Sequence, residues 1–317
     1  MTGSGEAKVS VIIGTYNRAE FLQKCIASIF KQTRSGVVVY VTDAGSTDGT
    51  IDYLASVGSK RIIPILKGTR VGQARALNEV IHSISTPYAC WLSDDNVVVN
   101  RGLDVALEIL QRDPAMGMVA LKVKDLLGPF VDAPYIGGIS PVGILNVNQG
   151  MLPTEVLKRA GGFSEQFADY GIDADLTAKV LLLGYKVAYT KVVAIHHYRQ
   201  WATDKNSPEY QALKKKHERY RQFYAAKYQL LGQDDWLWAW KKKSWKHFQR
   251  LLTSVPQLCS ESGMLRMNQR DWINIFNARY LSLFDVLKNF QAAHHLVQRF
   301  PRKRLPARLP PDPIELC

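Results

Sequence analysis

The chain has 317 residues, of which 46% are hydrophobic and 22% are charged, values that are ordinary for a globular protein. It contains no run of about 18 apolar residues, so the sequence predicts no membrane-spanning helix. The first residues lack the apolar stretch of a secretory signal, and the four cysteines have no metal-ligand spacing. We therefore expect a cytoplasmic protein with free thiols.

The net charge of +13 is unevenly distributed along the chain. Residues 1–198 contain 19 Lys and Arg against 18 Asp and Glu, whereas residues 199–317 contain 22 against 10. Six of the seven tryptophans also follow residue 198. This change of composition predicts a boundary between residues 198 and 199. The second part, 199–317, is then a basic, Trp-rich and mainly helical extension.

Strand and helix patterns alternate through the first hundred residues. Short β-branched runs predict strands, and apolar residues at helical spacing predict the helices between them. The predicted strands are residues 9–13, 37–41, 61–66 and 88–92, and the predicted helices are residues 19–31, 47–54 and 72–84. This alternation with short connections predicts an α/β fold, namely a Rossmann-like, mostly parallel sheet flanked by helices.

Three polar clusters, at residues 15–18, 43–46 and 93–96, come directly after predicted strands. Ligands bind such sheets at the carboxyl ends of their strands, so we expect the three clusters to converge on one crevice. Each cluster alone is more typical of a turn or a helix cap than of a ligand site. Their position at a common sheet edge favours a ligand site.

The residue types in these clusters suit a nucleotide and a metal ion. Asp43 could accept hydrogen bonds from a base or ribose, beside a flexible Gly45-Ser46 turn. Asp94 and Asp95 could hold Mg²⁺ or Mn²⁺, which prefer oxygen ligands and often bridge carboxylates to a diphosphate. Arg75, on the helix that follows Gly72, could neutralise phosphate charge.

Six stretches of the chain, in this order, resemble glycosyltransferase family 2, which has the GT-A fold. They are V-S-V-I-I-G-T-Y-N-R (9–18), V-T-D-A-G-S-T-D-G-T (41–50), G-Q-A-R-A-L-N (72–78), W-L-S-D-D (91–95), A-G-G-F-S-E-Q-F-A-D-Y-G-I-D-A-D-L (160–176) and L-G-Y-K-V-A-Y-T-K-V-V-A-I-H-H (183–197). The resemblance implies a GT-A domain over residues 1–198, with a nucleotide-binding half (1–100) and an acceptor-side half (101–198).

The resemblance also implies roles for individual residues. Asp95 matches the metal-ligating member of the family's acidic motif, Asp173 matches the catalytic base, and His196 matches a histidine that completes the metal or diphosphate site in some members. Asp43 matches the residue that contacts the base. The nucleotide-sugar contacts so implied are Thr15, Tyr16, Arg18, Asp43, Gly45, Ser46, Arg75 and Asp94. The chain departs from the family pattern at Ala44, Leu92 and Ile172, where the family usually has carboxylates.

Two of these residues also have purely structural interpretations. Asp173 begins the run D-A-D-L-T-A-K-V-L-L-L-G, which reads as a helix ending at Gly184, so Asp173 could be its N-cap. Asp175 could share either role. His196 follows a β-branched strand and could simply face solvent.

The resemblance implies an inverting glycosyltransferase that uses a divalent cation, Mn²⁺ or Mg²⁺. Its donor would be a nucleoside-diphosphate sugar and its acceptor a glycan or lipid-linked hydroxyl, in polysaccharide or glycolipid assembly. A nucleotidyltransferase is an alternative, but residues 11–18 are not a phosphate-binding loop. A nucleic-acid-binding protein is a second alternative that rests on basic charge alone, so we expect no specific nucleic-acid partner.

The extension contains a segment, residues 234–248, that is rich in tryptophan and lysine. Trp236 and Trp240 share a helical face, and Lys241 to Lys243 follow directly. Aromatic rings beside lysines suit the surface of an anionic membrane, so we expect peripheral association with the inner face of a membrane. The alternative is that the tryptophans pack on the preceding domain and the lysines are merely solvated.

Overall fold

A computed structural model describes residues 6–127, 131, 133–200, 202, 204–232, 235–260, 262, 265–283, 286 and 295–312. Its strands are β1 (Val9–Thr15), β2 (Val37–Asp43), β3 (Ile62–Leu66), β4 (Tyr88–Ser93), β5 (Asn96–Val98), β6 (Met116–Asp125), β7 (Gly150–Pro153), β8 (Lys186–His197) and β9 (His295–Arg299). Its α-helices are α1 (Ala19–Gln32), α2 (Thr50–Ser56), α3 (Gln73–Ile81), α4 (Gly102–Arg112), α5 (Thr154–Arg159), α6 (Ile172–Leu182), α7 (Pro208–Lys227), α8 (Trp236–Ser254) and α9 (Gln269–Asn277).

The described strands form one sheet in the order β3-β2-β1-β4-β7-β6-β8-β5, with β9 pairing with β8 outside this path. The strands β3, β2, β1 and β4 are parallel, which confirms the α/β fold predicted for the first hundred residues. In the other half β6 and β8 are parallel, whereas β7 runs antiparallel to β4 and β6, and β5 and β9 run antiparallel to β8. The sheet is therefore mixed, with consecutive parallel strands from β3 to β4.

Hydrophobic cores cover both faces of this sheet. Because strand side chains alternate between faces, Val11 and Ile13 of β1 pack toward α1 and α4, whereas Ile12 packs toward α3. Buried residues of α3, α5, α6 and the extension join in the second of these cores. The sheet is thereby fixed from both sides, and its strand ends are held in position.

The described part of the extension after residue 199 contains α7, α8, α9 and β9, and its apolar residues do not form a separate core. Tyr224 of α7, Trp272 of α9 and Leu296 of β9 all belong to the core that covers the α3 face of the sheet. The strand β9 is part of the same sheet as β1. The boundary predicted at residues 198 and 199 therefore marks a change of composition and not a gap between two folded bodies.

Two glycines allow close approaches that position the site. Gly171 precedes α6 with a φ of +86°, and a side chain there would collide with the ring of Tyr220. Gly45, also with a φ of +86°, lies against the backbone of Gly68. Only glycine combines this left-handed backbone with such close packing.

Candidate active site

The three polar clusters do meet at one edge of the sheet. Thr15 at the end of β1 pairs with Asp43 at the end of β2, and Gly14 pairs with Ser93 at the end of β4. A cleft of about 590 Å³ opens beside these strand ends. Its lining residues are Gly14, Thr15, Tyr16, Arg18, Thr42, Asp43, Ala44, Lys67, Thr69, Arg70, Val71, Gly72, Gln73, Ala76, Asp94 and Asp169.

Arg18 neutralises the adjacent carboxylates of Asp94 and Asp95, which are both 6% exposed. Its Nη1 atom donates to Asp95 Oδ2 at 2.8 Å and lies 3.4 Å from Asp94 Oδ1. The hydroxyl of Thr15 donates to Asp94 Oδ2 at 2.8 Å. A guanidinium and a hydroxyl therefore compensate two buried charges that would otherwise repel each other.

The two carboxylates differ in acidity because their surroundings differ. Burial raises the pKa of Asp94 to about 6, and the neighbouring charge of Asp95 adds to this effect against the influence of Arg18. Burial alone would also raise the pKa of Asp95, but the His197 and Arg18 side chains hold it below its ordinary value. Asp95 is therefore the stronger acid of the pair, and its carboxylate suits cation binding.

His197, and not His196, lies beside Asp95. Its Nε2 atom is 3.1 Å from Asp95 Oδ1, and its Nδ1 atom is 3.0 Å from Asp125 Oδ1. The hydroxyl of Tyr135 also donates to that oxygen of Asp125. Successive side chains of a strand face opposite ways, so His196 points to the other face, on the side of Lys124. The ring that lies beside Asp95 is therefore that of His197, whereas the sequence resemblance implied His196.

The side chains around Asp95 fit a divalent cation. Asp95 Oδ1 is buried, and its contact with His197 is not aligned as a hydrogen bond. In metal sites the ring nitrogen of a ligating histidine that faces away from the metal is usually held by a carboxylate, as Asp125 holds Nδ1 of His197. Nε2, 3.1 Å from Asp95 Oδ1, is then the nitrogen that a cation could share with that carboxylate. Among the described residues no three His, Cys, Asp or Glu side chains already converge on one point. A cation would therefore need further oxygens, such as those of a diphosphate.

Asp43 shapes the loop after β2, and its carboxylate is occupied there. Oδ1 accepts hydrogen bonds from the backbone N–H groups of Gly45 and Ser46, both at 2.9 Å, and Oδ2 accepts one from the Ser46 hydroxyl. The Asp43 side chain is fully buried. Its position at the cleft agrees with the sequence prediction, but its visible contacts build the turn that Gly45 and Ser46 form.

Besides Arg18, the cations that line the cleft are Lys67 and Arg70, which the sequence analysis missed. Arg75 points away from the cleft, with a 62% exposed side chain that lies 3.8 Å from Glu79 on the same helix. Arg70 stacks on the ring of Tyr16, with its guanidinium carbon 3.8 Å from the ring centroid. Lys67 follows β3 directly, so the sequence could have placed it at the strand end. Arg70 lies in the irregular segment before α3, where no sequence pattern predicts the direction of its side chain.

Asp173 lies in the first turn of α6, close to aromatic side chains of α7. Gly171 is the residue at the N-cap, so the alternative in which Asp173 caps the helix does not hold. Burial raises the pKa of Asp173 to about 6, against backbone hydrogen bonds and the charge of Arg199. The charge of Asp173 in turn raises the pKa of Tyr170 and of Tyr220. A carboxyl with a pKa close to neutrality is suited to general base catalysis.

The charge of Arg199 acts on several groups of the candidate site. Its positive charge favours lower pKa values of Asp173, of His197 and of Tyr135. Arg199 was assigned to the extension by composition, yet its charge influences all three of these groups.

Asp175 has a structural role. Its side chain is fully buried and forms ion pairs with Lys179 at 3.3 Å and Lys227 at 2.7 Å. It also accepts hydrogen bonds from Ser164 and Tyr228. These contacts join α6 to α7 and leave Asp173 as the acid of this segment that is free of ion pairs in the described contacts.

The fold and site define a GT-A-like protein with a cleft at the strand ends and an acidic pair beside it. Residues 10–135 match the family described as Glycosyl transferase family 2, and the chain carries a domain of that family. The match covers Asp94, Asp95, Asp125 and all residues that line the cleft except Asp169, whereas Asp173 and His197 lie beyond it.

Similar proteins share this domain. An uncharacterised glycosyltransferase of Nostoc sp. is 30% identical over 115 residues, which are 35% of this chain and 35% of that protein. The N-acetylglucosaminyl-diphospho-decaprenol L-rhamnosyltransferase of Mycobacterium tuberculosis is 22% identical over 62% of this chain and 78% of its own. The chain thus spans about a third of the first relative's length.

A solved structure shows the same fold. The mannosyltransferase PcManGT of Pyrobaculum calidifontis, in complex with GDP-Man and Mn²⁺, superposes with a TM-score of 0.50. It is 20% identical and covers 70% of this chain and 65% of that one. Separately, none of the helices in the described parts of this chain is long and apolar enough to cross a bilayer.

Proposed function

We propose that the chain is an inverting glycosyltransferase that moves a sugar from a nucleoside-diphosphate donor to the hydroxyl of a glycan or lipid-linked acceptor. The observation that carries this proposal is that Arg18, Asp94, Asp95 and His197 contact one another in series at the strand ends, where Arg18 and Asp94 line the cleft. A relative with decaprenol in its name supports the lipid-linked class of acceptor.

The donor lies in the cleft between the three strand ends. Its base packs beside the buried Asp43 turn and the Tyr16–Arg70 pair, and its diphosphate extends toward Arg18 and Lys67. Asp95 and His197 would hold a divalent cation, Mn²⁺ or Mg²⁺, which when bound stabilises the charge that develops on the leaving diphosphate. The neighbour solved with GDP-Man and Mn²⁺ supports this choice of ligands.

The acceptor lies on the opposite side of the sugar, next to Asp173. Tyr170 stacks with His217 at a ring distance of 4.3 Å and meets Tyr220 edge to face at 5.7 Å. Such rings form an apolar surface with polar rims, which suits the face of a pyranose. Both His217 and Tyr220 belong to α7, so the extension contributes to the acceptor side.

Asp173 then acts as the base. It removes the proton from the acceptor hydroxyl while that oxygen attacks the anomeric carbon, and the bond from this carbon to the diphosphate oxygen breaks. The nucleoside diphosphate leaves with the electron pair of that bond. One displacement from the face opposite the leaving group inverts the anomeric carbon.

A panel of sugar nucleotides tests the donor assignment. Thermal unfolding is followed with each nucleotide in the presence and absence of Mn²⁺, and at least one donor is expected to raise the Tm more with Mn²⁺ than without it. Asp95→Asn should remove the Mn²⁺-dependent part of the shift. Asp52→Asn, a change of an exposed carboxylate on α2, should leave it intact. No shift with any nucleotide would refute the proposal.

A further inference from the structure

A second groove, remote from the strand-end cleft, lies in the extension. It has a volume of about 960 Å³ and runs between the first turns of α8, residues 279–283 and the segment 299–304 after β9. None of its lining residues lines the nucleotide cleft. Neither the family match nor the proposed transfer reaction gives this groove a role.

The helix α8 has two apolar faces, and only one of them is packed. Trp245 and Phe248 contact Phe276 of α9 at ring distances of 5.3 and 4.8 Å. At the rim of the groove, however, the side chains of Trp236, Leu237 and Trp240 are 79%, 55% and 57% exposed. Three large apolar side chains clustered in water are costly, which indicates that a partner covers them.

The surroundings of these side chains are strongly basic. The helix α8 contains no Asp or Glu, and four of its five Lys and Arg are exposed, whereas Lys241 is buried and donates to the carbonyls of Ala278 and Leu281. Residues 299–308 contain five Lys and Arg and no Asp or Glu. Arg302, Lys303 and Arg304 are exposed beside the groove. The nearby acid Asp235 caps α8 and is paired with Arg279 at 3.1 Å. The partner must therefore be apolar in part and negatively charged.

We propose that this surface, formed by Trp236, Leu237, Trp240 and residues 302–304, binds the surface of an anionic lipid bilayer. Indole rings favour the boundary between headgroups and acyl chains, and Leu237 enters with them. The three basic residues then contact headgroup phosphates. A second copy of the chain fits less well, because a twofold contact would place two basic surfaces against each other.

This inference is independent of the transfer reaction, so binding is measured without any donor. The full chain is mixed with vesicles of phosphatidylcholine alone or of phosphatidylcholine and phosphatidylglycerol in equal parts, and the bound fraction is measured by flotation. The chain is expected to bind the vesicles that contain phosphatidylglycerol and not those of phosphatidylcholine alone. Added salt should weaken this binding. The triple variant Arg302→Gln, Lys303→Gln, Arg304→Gln should bind about 100-fold more weakly, since each basic residue at such a surface contributes roughly a factor of five.

Two further variants decide between the alternatives. Trp236→Ser with Trp240→Ser should also lose binding while keeping the wild-type Tm, because both rings are exposed. Lys24→Gln, Lys31→Gln and Lys60→Gln, which remove the same charge from exposed positions elsewhere, should bind as wild type. The proposal is overturned if the wild type does not bind anionic vesicles, or if both triple charge variants bind them equally weakly. It is also overturned if sedimentation shows that the wild type is a dimer and the tryptophan variant a monomer.

Discussion

The adjacent carboxylates Asp94 and Asp95 show how far single residues could be interpreted before the structure was known. Their place at a strand end was predictable from the strand–turn pattern, and so was their need for positive charge. That Arg18 meets this need could not be derived, because it depends on the pairing of β1 with β4. The same holds for His197: sequence identifies a histidine pair, whereas the register of β8 decides which ring faces Asp95.

Asp173 gives a prediction for activity and its dependence on pH. Asp173→Asn should keep donor binding and lower kcat by about 100- to 10,000-fold, because the base is removed. Since the base must be unprotonated and its pKa is about 6, wild-type kcat/KM should rise as the pH increases through about 6. Steady-state kinetics between pH 5 and 8 measure both effects. Near-normal turnover of the variant would rule out the assignment.

The same substitution should stabilise the fold at neutral pH. Burial raises the pKa of Asp173 in the folded chain, so the folded state disfavours the ionised form that dominates in the unfolded chain above its ordinary pKa. Asn should therefore increase the free energy of unfolding by about 1 to 3 kcal/mol at pH 7. The gain should fade between about pH 6 and 4, as measured by urea unfolding. An equal gain at pH 4 would contradict this explanation.

His197 and His196 form a matched pair for testing the cation site. His197→Asn should weaken Mn²⁺-dependent donor binding by about 10- to 100-fold, because its ring faces Asp95 and is held by Asp125. His196→Asn, on the other face of β8, should bind like wild type. Calorimetric titration of the donor with and without Mn²⁺ distinguishes the two. If His196→Asn weakens Mn²⁺-dependent binding and His197→Asn does not, the role that the sequence resemblance implied for His196 would be supported instead.

At the scale of elements, the regular half of the sheet was predictable and the mixed half was not. The strands β1 to β4 are short β-branched runs separated by amphipathic helices, so local pattern determines them. By contrast, β7 has four residues, and the β8 run continues through Thr190 and Lys191, which are polar but buried. Periodicity does not identify strands of this kind, because tertiary pairing and not local pattern maintains them.

The buried ion pair between Lys122 of β6 and Asp271 of α9 holds the extension against the sheet. Nζ and Oδ2 are 2.7 Å apart, and both side chains are fully buried. Lys122→Met should destabilise the chain by about 3 to 5 kcal/mol, because it leaves a buried carboxylate without its main cation. Lys186→Met, which breaks the half-exposed pair with Asp113, should cost about 0 to 1 kcal/mol. Urea unfolding measures the loss of stability in both variants. Equal losses would contradict the role of the Lys122–Asp271 pair in holding the extension against the sheet.

At the scale of the whole molecule, composition and architecture give different divisions of the chain. The charge imbalance after residue 198 is real, yet it describes the surface of the extension, whereas apolar residues of the same segment complete the core. Gln298 of β9 shows the connection: it is fully buried, donates to the Tyr189 hydroxyl at 2.9 Å and accepts from the backbone N–H of Leu145. A composition boundary reports on solvent exposure and does not locate the limits of a cooperative unit.

This architecture predicts that residues 1–198 alone do not fold cooperatively. Removing the rest uncovers Tyr189 and the α3 face of the sheet, and it deletes Tyr224, Trp272 and Leu296 from the core. Each large side chain that loses burial costs about 1.5 to 3 kcal/mol, so a handful of them equals the 5 to 15 kcal/mol that stabilise a typical domain. We expect the fragment to lose the near-ultraviolet circular dichroism of the full chain and its sharp urea transition. Co-expression with residues 199–317 should restore both signals, because the two pieces share one core. A fragment that unfolds cooperatively on its own, with the Tm of the full chain, would show that the composition boundary is also a structural one.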